Sequence, residues 1–216
     1  MGNLFRPDSP LMRFMMLITN LICLNVLWLI SCIPVITAGA ATVAMHSVLI
    51  GCITGKDDAV LKPFFRGFRE NFRSVTPVWL LTLLIGGVMA AEIFYLSFGS
   101  QLWLKVVFGV LLVLYAAAVS YLYPLFARYH TTARQALFNS FALPVRHLLS
   151  SVCVVTLNAL PVVLLAVFPQ IFWKTILVWT LMGFSLIAYL NLRILLPVFK
   201  QYEETPEQDA PAADAD

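Results

Sequence analysis

The sequence predicts an all-α protein: a polytopic membrane helical bundle of six transmembrane helices, arranged as three hairpins with two cytoplasmic amphipathic connectors. Three observations lead there. Five apolar runs, at 14–36, 75–98, 102–127, 148–168 and 172–199, each reach the roughly 20 residues that a helix needs to cross about 30 Å of hydrocarbon. Hydrophobic residues make up 61% of the chain and charged residues 12%, with a mean hydropathy of +0.88. A soluble domain carries about 25% charged residues, so this chain has too few to solvate a globular surface. Finally, the basic residues collect in two segments, 56–73 and 128–146, rather than scattering.

The first helix is the run 14–36. Arg6 and Arg13 precede it and Ala38-Gly39-Ala40 imitates a cleavage site, but the run exceeds the roughly 7–15-residue core of a signal peptide, so an uncleaved helix is expected. Pro34 bends or ends it, and Thr37 is a suitable N-cap for the second helix. That helix, 37–54, is only weakly hydrophobic. Ala40, Ala44, Ser47 and Gly51 form one helical stripe of small residues, which lets neighbouring backbones approach and predicts a position inside the bundle.

Charge decides whether 37–54 crosses. With six crossings and both termini cytoplasmic, the inner side receives Arg6, Arg13, Lys56, Lys62, Arg66, Arg69, Arg73, Arg128, Arg134, Arg146 and Lys200, with Arg193 near the inner end of the last helix. That is 12 of the 14 basic residues; only Lys105 and Lys174 fall outside. The outer turns near 99–101 and 169–171 are short, and Glu92 is expected to pair with Lys105 across the first of them.

In the first connector, Leu61, Phe64, Phe65, Phe68 and Phe72 fall on one helical arc, beside a stripe of Lys62, Arg66, Arg69 and Arg73. This pattern predicts a helix over 61–73 lying along the cytoplasmic surface, its phenylalanines in lipid and its cations on anionic headgroups. It is also the candidate partner surface. The second connector, 128–147, places Leu137, Phe138, Phe141 and Val145 on one face, opposite Arg128, Gln135, Asn139 and Arg146. Its segment Phe138-Asn-Ser-Phe141-Ala-Leu143-Pro144 faintly resembles the end of the coupling-helix loop of ABC importer permeases, without that loop's acidic-alanine start or its glycine. Residues 1–200 form the bundle. Residues 201–216 carry six of the 11 acids and read as an acidic, disordered cytoplasmic tail.

No catalytic pattern is present: there is no HExxH, GxSxG, phosphate-binding Walker loop or intramembrane aspartate pair. Cys23, Cys32, Cys52 and Cys153 lie in or beside apolar stretches without metal spacing and read as packing residues. No enzyme activity, metal or cofactor is expected, and the aromatic residues are those of lipid-facing helices rather than a nucleic-acid platform. The candidate site residues are the polar groups inside the spans: Asn20, Asn25, His46, Glu92, Asn158, Asn191 and Arg193. Glu92 and Arg193 belong to opposite membrane faces and should not meet.

Asn25-Val-Leu-Trp28-Leu-Ile-Ser-Cys-Ile-Pro34-Val-Ile-Thr37-Ala-Gly39-Ala-Ala-Thr42 resembles the first-hairpin signature of the YesL family of small bacterial integral membrane proteins. Phe64-Phe65-Arg66-Gly-Phe68-Arg-Glu-Asn71-Phe72, the following Trp79, and Tyr123-Pro124-Leu125-Phe-Ala127-Arg128-Tyr129 resemble that family in order and spacing. The resemblance implies a bacterial cytoplasmic-membrane location and an association with carbohydrate uptake, with an ABC transporter subunit as partner. It implies no known mechanism and no active site. The sequence thus points to a non-enzymatic accessory membrane protein in contact with anionic lipid, with a small transporter or permease-like subunit as the alternative.

Overall fold

In a computed structural model the protein is built from helices alone among the described residues, which are 10–55, 59–97, 102–129 and 133–208. Arg6, Lys56, the 99–101 turn and the tail beyond 208 lie outside them. The long helices are α1 (Pro10–Cys32), α2 (Ala38–Thr54), α3 (Leu61–Ser97), α4 (Leu102–Arg128), α5 (Ala133–Arg146) and α6 (Leu148–Val167). Two short helices, α7 (Pro169–Lys174) and α8 (Ile176–Val178), lead through a π-helical turn, Trp179–Gly183, into α9 (Phe184–Gln208). Six segments are long and apolar enough to cross a membrane: Leu11–Cys32, Val35–Thr54, Leu61–Leu96, Leu102–Arg128, Leu148–Val167 and Ile176–Gln201. The weakly hydrophobic second span is among them by length and composition.

The weakly hydrophobic α2 occupies the interior. Gly39, Ala40, Ala41, Val43, Ala44, Met45, His46, Val48 and Leu49 are all buried, and the helix packs on α1, α3, α4 and α9. Small side chains make this possible. A Cβ on Gly39 would lie 2.5 Å from the Trp79 Cβ, so α2 and α3 meet there with no room for a side chain. Trp79 Nε1 donates to the Val35 carbonyl (2.7 Å) and closes the turn between α1 and α2. Gly55, at φ +68°, ends α2 in the left-handed conformation that suits a C-terminal cap.

The structure departs from the sequence reading at the first connector. Residues 61–73 are not a separate surface helix but the start of α3, which continues through Pro77 for 37 residues, or about 55 Å. Phe64 points into protein, not lipid: it is fully buried with Leu24, Leu49 and Leu192. Phe68 packs on the same cluster, while Leu61 and Phe65 are exposed. The reason is α2, whose Ala44 and Ser47 leave a shallow surface beside Gly67; burial against a neighbour competes with burial in the acyl region. In α5 the buried residues are Ala136, Ser140, Leu143 and Pro144, a helical stripe, whereas Phe138, Phe141 and Val145 of the predicted apolar face stay exposed. The Tyr121 hydroxyl, bonded to Ser151 Oγ at 3.0 Å, joins α4 to α6; Ser151 in turn donates to the Pro144 carbonyl at the end of α5 (3.0 Å).

The last run is interrupted rather than continuous, and α9 runs on to Gln208, so helix enters the segment read as a tail.

Candidate functional site

The polar residues of the spans separate into three kinds of environment. The first is structural. A π-helical turn breaks the regular carbonyl pairing, and in lipid no water is present to satisfy freed backbone groups. Asn25, fully buried on α1, meets that need from another helix. Its Nδ2 donates to the Trp179 (3.1 Å) and Thr180 (2.7 Å) carbonyls, and its Oδ1 accepts from the Ser185 N–H (2.9 Å). Ser185 Oγ returns the tie by donating to the Leu21 carbonyl at 2.8 Å. Every polar atom of the Asn25 carboxamide is used to hold α1 against the π turn.

The second environment is the exterior. Glu92, Lys105 and Arg193 are exposed on the bundle's outside. Glu92 and Lys105 form no ion pair, so the expected pairing is not made. Arg193 folds back on its own helix, donating from Nη2 to the Tyr189 hydroxyl (2.6 Å) with its guanidinium 5.2 Å from that ring's centre. Asn20 makes one long contact, Nδ2 to Cys52 Sγ at 3.9 Å.

The third environment is a cavity of about 470 Å³ between α2, α4, α6 and α9, roofed by Trp28 of α1. Its size is that of a small-molecule site. His46, Asn158 and Asn191, which the sequence offered as separate candidates, come together on its wall with Thr42, Ser120 and Tyr123. No residue lining it carries a formal charge. Asn191 Nδ2 donates to Asn158 Oδ1 (2.8 Å), Asn158 Nδ2 donates to Ser120 Oγ (2.8 Å), and Ser120 Oγ donates to the Ala116 carbonyl (2.7 Å). On the facing wall Trp28 Nε1 donates to Thr42 Oγ1 (3.0 Å), and His46 Nδ1 lies 2.7 Å from the Thr42 carbonyl. A carbonyl only accepts, so in the neutral ring Nδ1 carries the proton and Nε2 keeps its lone pair. The relay along Asn191, Asn158 and Ser120 is incomplete at one end. Asn191 Oδ1 is buried without any hydrogen-bond partner.

Sequence reasoning found the asparagines and His46 because they are rare polar residues in apolar runs. It missed Thr42, Ser120, Trp28 and Tyr123, whose residue types are ordinary in membrane helices. Only their convergence marks them.

The basic residues show a further convergence. Arg66 of α3 and Arg128 of α4 line one pocket of about 480 Å³ with Ser47, Thr54 and Tyr129. The two basic connectors thus meet at one end of the bundle. Lys62, Phe65, Arg66, Arg69 and Arg73 are exposed along the first part of α3, Phe72 is half-buried, and Phe64 fastens this part from beneath.

Residues 21–93 match the family model described as "Protein of unknown function, DUF624". The DUF624 match takes in the second half of α1, all of α2 and most of α3. It therefore contains Asn25, His46, the Gly39–Trp79 contact and the basic part of α3, but not Ser120, Asn158 or Asn191. No curated protein and no solved structure matches the chain at a significant level.

Proposed function

We propose that this chain is a non-enzymatic integral membrane accessory protein that serves carbohydrate uptake in the bacterial cytoplasmic membrane, docking on an ABC transporter subunit. The observation that favours it is the basic ridge of α3. Lys62, Arg66, Arg69 and Arg73 stand exposed on a helix held by the buried Phe64, beside Arg128 of the neighbouring helix. A fixed, exposed, predominantly basic ridge, with Glu70 as its one acid, suits an acidic protein surface or anionic headgroups. The sequence motifs that resemble the YesL family supply the link to carbohydrate uptake, and the positive-inside bias supports a cytoplasmic position for both termini and this ridge.

The test is a mild-detergent purification of wild type and of the Arg66→Glu/Arg69→Glu/Arg73→Glu variant, with mass spectrometry of what accompanies each. A sugar-transporter subunit should copurify with wild type and be lost from the variant while the variant stays monodisperse. Equal recovery with both would remove the ridge from partner docking.

A second reading, a small transporter or permease-like subunit, is favoured by the uncharged, largely apolar cavity with a few polar side chains between α2, α4, α6 and α9. Uptake of a labelled solute by proteoliposomes containing this chain alone would select it.

A further inference from the structure

We infer that a groove between α3, α4 and α6, with α5 at one end, is a binding site for an acyl chain of an anionic phospholipid whose headgroup rests beside Arg146. The groove lies across α4 from the cavity that holds Asn191 and shares only Tyr115 with it. It stands whether or not the protein docks on a transporter.

The lining decides the chemistry of the guest. The groove has a volume of about 690 Å³, and apart from Tyr115, Ser151 and Thr156 every residue lining it is apolar. Each of those three hydroxyls is already bonded to the protein. Tyr115 donates to the Thr82 carbonyl, Ser151 to the Pro144 carbonyl, and Thr156 to the Val152 carbonyl. A polar guest would therefore lose its hydration and gain no partner, whereas hydrocarbon enters without that penalty. The walls can be reached from lipid, since Leu111, Leu114, Phe141, Val145 and Val152 are all exposed.

Depth and size select a chain over a helix. Along α6 the lining runs from Leu148, the first residue of its span, to Thr156, a rise of about 12 Å. Half of a bilayer's hydrocarbon core is about 15 Å, so the groove belongs to one leaflet. A helix about 10 Å across fills roughly 400 Å³ with each turn, so the groove holds less than two turns of a partner's helix or of a second copy. The headgroup is selected at the end nearest α5. Arg146 is exposed two residues before Leu148 and forms no ion pair among the described residues. No acid occurs in α4, α5 or α6 to neutralise it. An anionic headgroup at that depth supplies the missing countercharge, and the positive-inside bias makes this leaflet the cytoplasmic one.

The experiment uses the full chain in phosphatidylcholine nanodiscs containing a trace of phosphatidylglycerol with a diazirine on its acyl chain. A phosphatidylcholine probe with the same chain forms a second arm. After photolysis the labelled residues are mapped by mass spectrometry. Label should concentrate on groove residues such as Leu114 and Val152 over Leu84 and Val88 of α3, which are as exposed but lie outside the groove. Unlabelled phosphatidylglycerol should displace it. Groove labelling by the anionic probe should exceed that by the zwitterionic one about fivefold, as expected for one basic group at an anionic surface, and Arg146→Gln should remove this preference. Leu114→Trp/Val152→Trp, at two exposed positions, should fill the groove and abolish its labelling. The inference is overturned if label spreads evenly over groove and non-groove residues, if both probes label the groove equally, or if the groove-filling variant labels like wild type. Crosslinks from groove residues to a second copy of the chain in place of lipid would overturn it as well. Should the groove-filling variant not fold, failure of unlabelled phosphatidylglycerol to displace the label from wild type overturns it equally.

Discussion

Asn25 and Asn191 are both buried asparagines in membrane-crossing helices, and both contact other helices through their carboxamides. Their hydrogen-bond accounts differ completely. Asn25 satisfies three backbone groups around the π turn and has no atom left over. Asn191 makes one bond to Asn158 and leaves its oxygen buried without a partner. Residue type and burial are alike, so neither tells how completely a polar residue is tied into the fold. What separates them is whether the protein itself completes the hydrogen bonding. The Asn25 carboxamide is closed by the fold; that of Asn191 is left incomplete.

Substitutions should divide along the same line. Asn25→Leu removes three hydrogen bonds and orphans two carbonyls and one N–H of the π turn in a place without bulk water. At roughly 1 kcal/mol for each bond, the loss should be about 3 kcal/mol, seen as an earlier midpoint in detergent-induced unfolding. Ser185→Ala, which removes only the hydroxyl's bonds to Leu21 and Met182, should cost about 1 kcal/mol by the same measurement. A larger loss from Ser185→Ala than from Asn25→Leu would mean that the hydroxyl, not the carboxamide, holds the π turn. Asn158→Leu/Asn191→Leu replaces both members of an incompletely satisfied pair with apolar groups of similar size, so stability should stay within about 1 kcal/mol of wild type or rise. A loss as large as that from Asn25→Leu would make the cavity pair structural.

Much of the architecture was legible in the sequence. The five long runs and the positive-inside asymmetry led to six spans, and the stripe Ala40, Ala44, Ser47, Gly51 pointed to a buried α2, because small residues matter only where another backbone must come close. The first connector was misjudged for a definable reason. Periodicity locates an apolar face on 61–73 but does not say what covers it, and Phe64 found α2 and α9 rather than lipid. The large apolar residues on one face of α5 could be read, but not what holds the helix in place: the residues that pack inward, Ala136 and Ser140, look unremarkable in a sequence. The π turn left no mark in Trp179–Gly183 itself; its signature is Asn25, more than 150 residues earlier. The cavity was half legible. Rare asparagines in apolar runs announce that something polar happens within the bundle, but only the fold shows that Asn158, Asn191 and His46 line one cavity while Asn25, Glu92 and Arg193 do other things.

The most direct measurement is a high-resolution experimental structure of the protein in lipid, resolving the surroundings of these two carboxamides. Asn25 should be bonded to Trp179, Thr180 and Ser185 alone, and Asn191 to Asn158 alone, with the other end of its amide meeting no protein group. An Asn191 whose carboxamide is fully bonded to protein groups, with no space beside it, would contradict the distinction drawn between the two residues.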